Sequence, residues 1–156
     1  MSGRLSEKIH FVKGLDPVAD AFSGTVTSDV VSMEEYNRVA FLIVKGVGTT
    51  GTSTITVQAS AANDGSSPTA VAFTYRRLCN TSDVTGAVTA AATTGFTTTA
   101  GSSEMYIVEV DAAALPAGKP WVHCKAVEVV DSPVLGGIVV LLGEPRSGGA
   151  SFASAI

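Results

Sequence analysis

Hydrophobic and polar positions alternate along much of this chain with the period of a β-strand. In Ser53–Ala59, Ile55, Val57 and Ala59 alternate with Thr54, Thr56 and Gln58, which sets a dry face against a hydroxyl-rich one. Ala70–Arg77 repeats the pattern, with Val71, Phe73 and Tyr75 set against Ala72, Thr74 and Arg76. Two runs depart from it. Val39–Val44 is apolar at every position, and Val134–Leu142 reads likewise, which predicts strands covered on both faces, in the centre of a sandwich or at a subunit contact. Met105–Val110 and Trp121–Val130 carry the β-branched and aromatic residues of further strands, and Thr25–Ser32 and Lys8–Val12 bring the set to eight.

Turn residues separate these runs. Gly46–Gly51 and Asn63–Pro68 each hold residues that accept positive φ or fix a turn, so the middle of the chain reads as a β-meander. Asp111–Gly118 predicts one helical turn, with Asp111 as N-cap and Pro116 as the stop. Thr81–Ser103 has a Thr/Ala/Gly composition around the single bulky residue Phe96, and reads either as a long surface loop or as a pair of weak strands. The expected fold class is all-β, an antiparallel β-sandwich or jelly roll over residues 14–143. Residues 1–13 and 144–156 are expected to be extended N- and C-terminal arms, the second ending in a Gly/Ser/Ala tail that buries little when left in water.

Charge narrows the functions. Charged residues make up 15% of the chain against 46% hydrophobic, so the surface is weakly charged and suits contact with other protein. A net charge of −4 argues against direct nucleic-acid binding, which needs clustered Lys and Arg. The pair Arg76-Arg77 makes no patch, because neighbours on a strand point to opposite faces. No apolar run is long enough to cross a membrane as a helix, and Met1–Gly14 lacks the apolar centre of an export signal. Cys79 and Cys124 are therefore expected to be reduced.

Candidate chemistry is sparse. Gly46-Val47-Gly48-Thr49-Thr50-Gly51 matches a dinucleotide-binding pattern in letters, but a β-branched strand follows where the pyrophosphate would need the start of a helix. His10 and His123 lie far apart, and His123 and Cys124 face opposite ways on one strand, so no metal site is expected. Asp16, Asp20, Glu34 and Glu35 do not form a calcium-loop pattern, and no serine or cysteine has a nucleophile motif around it. Asn80-Thr81-Ser82 matches a glycosylation acceptor and is read as chance. The expectation is a protein that is not an enzyme and takes no cofactor.

The chain resembles a group of small virion proteins of tailed bacteriophages, encoded near the major capsid protein. The resemblance runs through Leu5–Asp20, Gly51–Val57, Gly101–Tyr106 and Val129–Gly137, and covers most of the chain. It implies a capsid decoration or cement protein at the capsid surface of the virion, made in the bacterial host cytoplasm. Its partners would be the major capsid protein and neighbouring copies of itself, as dimer or trimer clusters. A tail-tube or head–tail joining subunit, or a carbohydrate- or receptor-binding sandwich, are the alternatives. Candidate assembly contacts are Leu5, Ile9, Phe11, Phe96, Pro145, Arg146, Phe152 and Ile156.

Overall fold

The computed structural model describes residues 4–78, 83–146 and 156. Twelve strands, numbered in chain order and all paired antiparallel, form two packed sheets among these residues. The first sheet has the order β1 (His10–Val18), β12 (Val134–Pro145), β4 (Tyr36–Gly48), β10 (Glu104–Asp111), β7 (Phe73–Leu78) and β8 (Thr89–Ala91). The second runs β2 (Thr25–Thr27), β11 (Trp121–Val130), β5 (Thr52–Ser60) and β6 (Thr69–Val71). In it β3 (Val31–Ser32) also pairs with β11, and β9 (Phe96–Thr97) with β5. This is an all-β sandwich.

The period-2 pattern works as read. Phe41, Ile43, Val108 and Ile138 of the first sheet and Ile55 and Val57 of the second are buried between the layers. Burying each such side chain contributes about 1.5–3 kcal/mol.

Only half of the expected meander forms: residues 63–68 join β5 to its antiparallel neighbour β6. β4 and β5, by contrast, lie in different sheets, and residues 46–51 carry the chain across the sandwich instead of closing a hairpin. The crossing is tight at Gly51, where a Cβ would collide with the carbonyl oxygen of Ser132 and lie 2.5 Å from Cγ2 of Val134. Ala70–Arg77 likewise divides at Ala72 into β6 and β7, one in each sheet. Val71 and Phe73 both point inward, because a strand that changes sheets keeps its inward alternation while it crosses.

Thr25–Ser32 also divides, and Ser28 bridges its two halves. The amide of Ser28 donates to the carbonyl of Cys124 at 2.8 Å, and its Oγ accepts from the amide of Cys124 at 3.0 Å. Asp111 precedes a single 3-10 turn, Ala112–Ala114, but makes no side-chain cap; its carboxylate accepts from Arg38 instead. Of the two readings of Thr81–Ser103, the pair of short strands is the one the described part adopts, as β8 and β9. The boundaries drawn for the arms fall inside strands. β1 starts at His10, and β12 runs on to Pro145, which pairs with Tyr36.

Candidate interaction surface

The two sheets differ on their outer faces. Thr52, Thr54, Thr56 and Gln58 of β5 lie beside Lys125 and Val127 of β11 and Thr25 and Thr27 of β2, so the second sheet turns mainly hydroxyls and a charge to water, with a valine among them. The first sheet does the opposite. Its antiparallel register lines up Phe11, Leu141 and Ala40 in one row and Val139, Leu42 and Ile107 in the next. Val44, Met105 and Leu78 form a third row. Phe11, Val44 and Val139 are 47%, 41% and 37% exposed, and the other six are half-buried.

This face explains the uninterrupted apolar run of β4. Val39, Phe41 and Ile43 face inward and are fully buried, whereas Ala40, Leu42 and Val44 face outward, the first two half-buried and Val44 exposed among the described residues. The second sheet covers the inner face of this strand, and the outer face is where the expected subunit contact would fall. Charges stand at the margin. Lys13 pairs with Asp16 at 2.8 Å, and Arg38 with Asp111 at 2.8 Å and Glu144 at 3.3 Å. Arg76, at the far side, donates to the carbonyl of Gly86 at 3.2 Å. Glu109 stands inside the face, in the first row between Ala40 and Thr74, and close to Arg38.

Only some of the candidate contact residues come together. Phe11 lies in the apolar face. Ile9 and Pro145 line a shallow concavity of about 510 Å³ beside it, with Lys8, Arg38 and Glu144. Leu5 projects from the 3-10 turn Leu5–Glu7 and is 65% exposed. Arg146 donates its amide to the carbonyl of Glu35 at 2.9 Å and borders a second concavity, of about 540 Å³, with Met33, Leu115, Pro116 and Trp121. Ile156 is exposed, and Phe152 and Cys79 lie outside the described residues.

Phe96 is engaged within its own chain. Its ring stacks on Tyr75 with centroids 3.9 Å apart and planes at 4°, and it also meets Tyr106 and Phe73. A ring held this way joins β9 in one sheet to β7 and β10 in the other.

Two buried polar groups went unmarked in the sequence pattern. Lys45 continues the inward alternation of Val39, Phe41 and Ile43, and is buried; its ammonium donates to the carbonyls of Gly51, at 3.3 Å, and Thr99. Burial holds its pKa below the ordinary lysine value. Directly across from it on β10 is Glu104, also buried, which accepts two bonds from Arg77 at 2.7 and 2.8 Å. Those bonds hold the Glu104 carboxyl below its ordinary range. The three charges tie the residue 46–51 crossing and the residue 98–103 segment to the sheet.

His123 lies under the turn at Gly65 on the outer side of the second sheet. Its Nε2 meets the side-chain oxygen of Gln58 at 3.2 Å, while buried Nδ1 has no partner among the described residues. Burial, with Lys125 nearby, lowers its pKa. Cys124 is a free thiol in the core, pushed up to about 12 by burial, so it stays protonated. Among the described residues no three of His, Cys, Asp and Glu gather closely enough to hold a metal ion.

No protein-family model matches the chain, and no curated protein matches it. Among solved structures, the crystal structure of the SPBc2 prophage-derived protein YomS is similar over 85% of this chain and 92% of that chain. The identity is 17% and the TM-score 0.43, and a likeness of this size sets no role for the chain.

Proposed function

We propose that this chain is a structural protein of a tailed-bacteriophage virion, a capsid decoration or cement protein that binds across adjacent major capsid subunits. In this reading it is not an enzyme, takes no cofactor and sits on the capsid surface. The observation that carries it is the apolar outer face of the first sheet. Contiguous apolar patches of several hundred Å² on a monomer mark sites of contact with other protein or with a ligand. The sequence resemblance to small phage virion proteins supports the specific assembly.

Such a protein acts by mass action. Whatever binds the assembled shell and not its separated subunits stabilises the shell, by about 2.7 kcal/mol per site at a hundredfold excess over Kd. Co-sedimentation tests this: purified chain is added to heads that lack it, and the heads are then heated. The reading predicts saturable binding and a higher temperature of head disruption. Heads that neither bind the chain nor gain stability would sink it.

The concavity around Trp121 favours a second reading, binding of a carbohydrate. Its half-buried indole, with Glu34, Lys119 and Arg146 at the rim, offers a stacking surface and polar partners. A glycan-array signal lost in Trp121→Ala would support that reading over the first.

A further inference from the structure

We infer that the outer face of the first sheet is an isologous interface between two copies of this chain. The inference deepens the reading above, taking from it that the chain works within an assembly: it names the protein that covers this face as a second copy of the chain, which leaves contact with capsid subunits to the other surfaces of the pair. It rests on the size, shape and charge of the face.

Size comes first. Five long strands at a spacing of about 4.8 Å, each about eight residues long at about 3.4 Å per residue, present roughly 650 Å². Two such faces in contact give roughly 1,300 Å², inside the range of about 1,200–2,000 Å² buried in stable protein pairs. The two larger concavities lie beside this face or away from it, and the one on it, about 210 Å³ among Arg38, Thr74, Glu109 and Asp111, is small and polar, so the apolar rows suit a flat partner better than an inserted peptide.

Charge then selects the partner. Lys13, Arg38 and Arg76 stand at the margin and are already engaged with Asp16, with Asp111 and Glu144, and with the Gly86 carbonyl. Glu109, between Ala40 and Thr74 and close to Arg38, is the one charge among the central rows, so a strongly charged partner would find little else to pair with there. The nine apolar side chains are complementary to themselves, and a two-fold contact brings the same patch against the same patch. Two twisted sheets commonly pack face to face about 10 Å apart and within about 30° of aligned. The thread of outward side chains on β4 and β12, with Leu42 at its centre, would then become a second dry layer.

The second sheet cannot serve in the same way. Its outer threonines, Gln58 and Lys125 are half-buried to exposed polar groups, with the exposed apolar side chain of Val127 set among the threonines. Stacking two copies through that side would strip water from hydroxyls and oppose two ammonium groups.

Sedimentation of the full chain across about 1–100 µM tests the interface. The wild type is expected to reach twice the monomer mass of 15.8 kDa. Leu42→Lys places a charge from each copy near the two-fold axis, and like charges brought together cost several kcal/mol, so dimer Kd should rise at least about 100-fold. Thermal melting checks that the variant still folds.

A second variant removes the dependence on folding of a charged substitution. In a Cys79→Ser background, Leu42→Cys should oxidise to a covalent dimer, whereas Lys125→Cys on the opposite sheet should not. A wild type that is monomeric at about 100 µM overturns the inference. So does a dimer that persists in folded Leu42→Lys, or one cross-linked only through Lys125→Cys. A monomer that still loads onto heads removes the dimer and leaves the virion reading standing; a dimer that never binds heads does the reverse.

Discussion

Replacing Phe96 by Ala separates two roles for the only bulky side chain in a long, low-complexity segment. The ring sits on β9 opposite Ile55 and stacks on Tyr75 of the other sheet at 3.9 Å. The surrounding backbone is tied down as well: Thr98 and Ser53 exchange bonds of 2.9 and 3.0 Å, and the Thr99 amide donates to the Tyr106 hydroxyl at 2.7 Å. Truncating a fully buried Phe costs about 3–5 kcal/mol, and an aromatic pair adds about 0.5–1.5 kcal/mol beyond area. Phe96 is half-buried, so the expected loss is about 2–3 kcal/mol. For a domain of this size that lowers Tm by roughly 5–10 °C. Urea unfolding followed by circular dichroism, with m compared between the two proteins, reads the change directly. A loss below about 0.5 kcal/mol, with head binding weakened, would show that the ring serves a neighbour and not its own core.

Other substitutions probe the buried polar groups and the turns. Glu104→Gln leaves the Lys45 ammonium buried without its opposite charge. Because Arg77 is partly exposed, the cost should be about 1–2 kcal/mol at pH 7, below the full value for a buried pair. The folded-state pKa of Glu104 is depressed, so its contribution is complete above the ordinary carboxylate value and is lost as pH falls through the folded one; melts from pH 7 to pH 3 should show the variant to be less acid-sensitive than wild type. His123 is likewise depressed, so the unfolded chain binds its proton first and stability falls as pH drops from about 6.5 toward the lowered folded value; His123→Gln should flatten that part of the pH–Tm curve, and an unchanged slope would contradict the burial argument. Gly95→Ala, at φ +77° with a Cβ running into the Ile55 carbonyl, should cost more than about 2 kcal/mol, whereas Gly101→Ala, at φ +109° with nothing within 4 Å, should cost only its backbone strain. Equal losses in parallel urea melts would mean that the close approach at Gly95 is not limiting.

The strands of this fold were legible because burial on a strand is a local, period-2 property. Ile55, Val57 and Ala59 announce an inward face whatever the topology around them. Topology is not local. The same Gly-rich six residues can close a hairpin or cross between sheets, and the close pass of Gly51 by Ser132 depends on a segment eighty residues away. The break at Ala72 leaves no trace for a related reason, since Val71 and Phe73 both face the core on either side of it. Phe11 was recognisable as an arm side chain of unusual bulk, and the run Val39–Val44 signalled a second apolar face. Its openness needed the register of β1, β12, β4 and β10 to be seen. Phe96 was singled out for its size, but composition alone does not reveal Tyr75 beneath it. Lys45 had a usable signal, a cation at an inward position directly after three buried apolar ones.

The copy number of this chain in purified particles from its source, measured by quantitative peptide mass spectrometry against the major capsid protein, tests the virion role most directly. A cement protein predicts about one copy per capsid subunit, or another simple fraction set by the shell lattice. A count of only a few per particle would move it to the tail or the portal region, and its absence from particles would contradict the virion role outright.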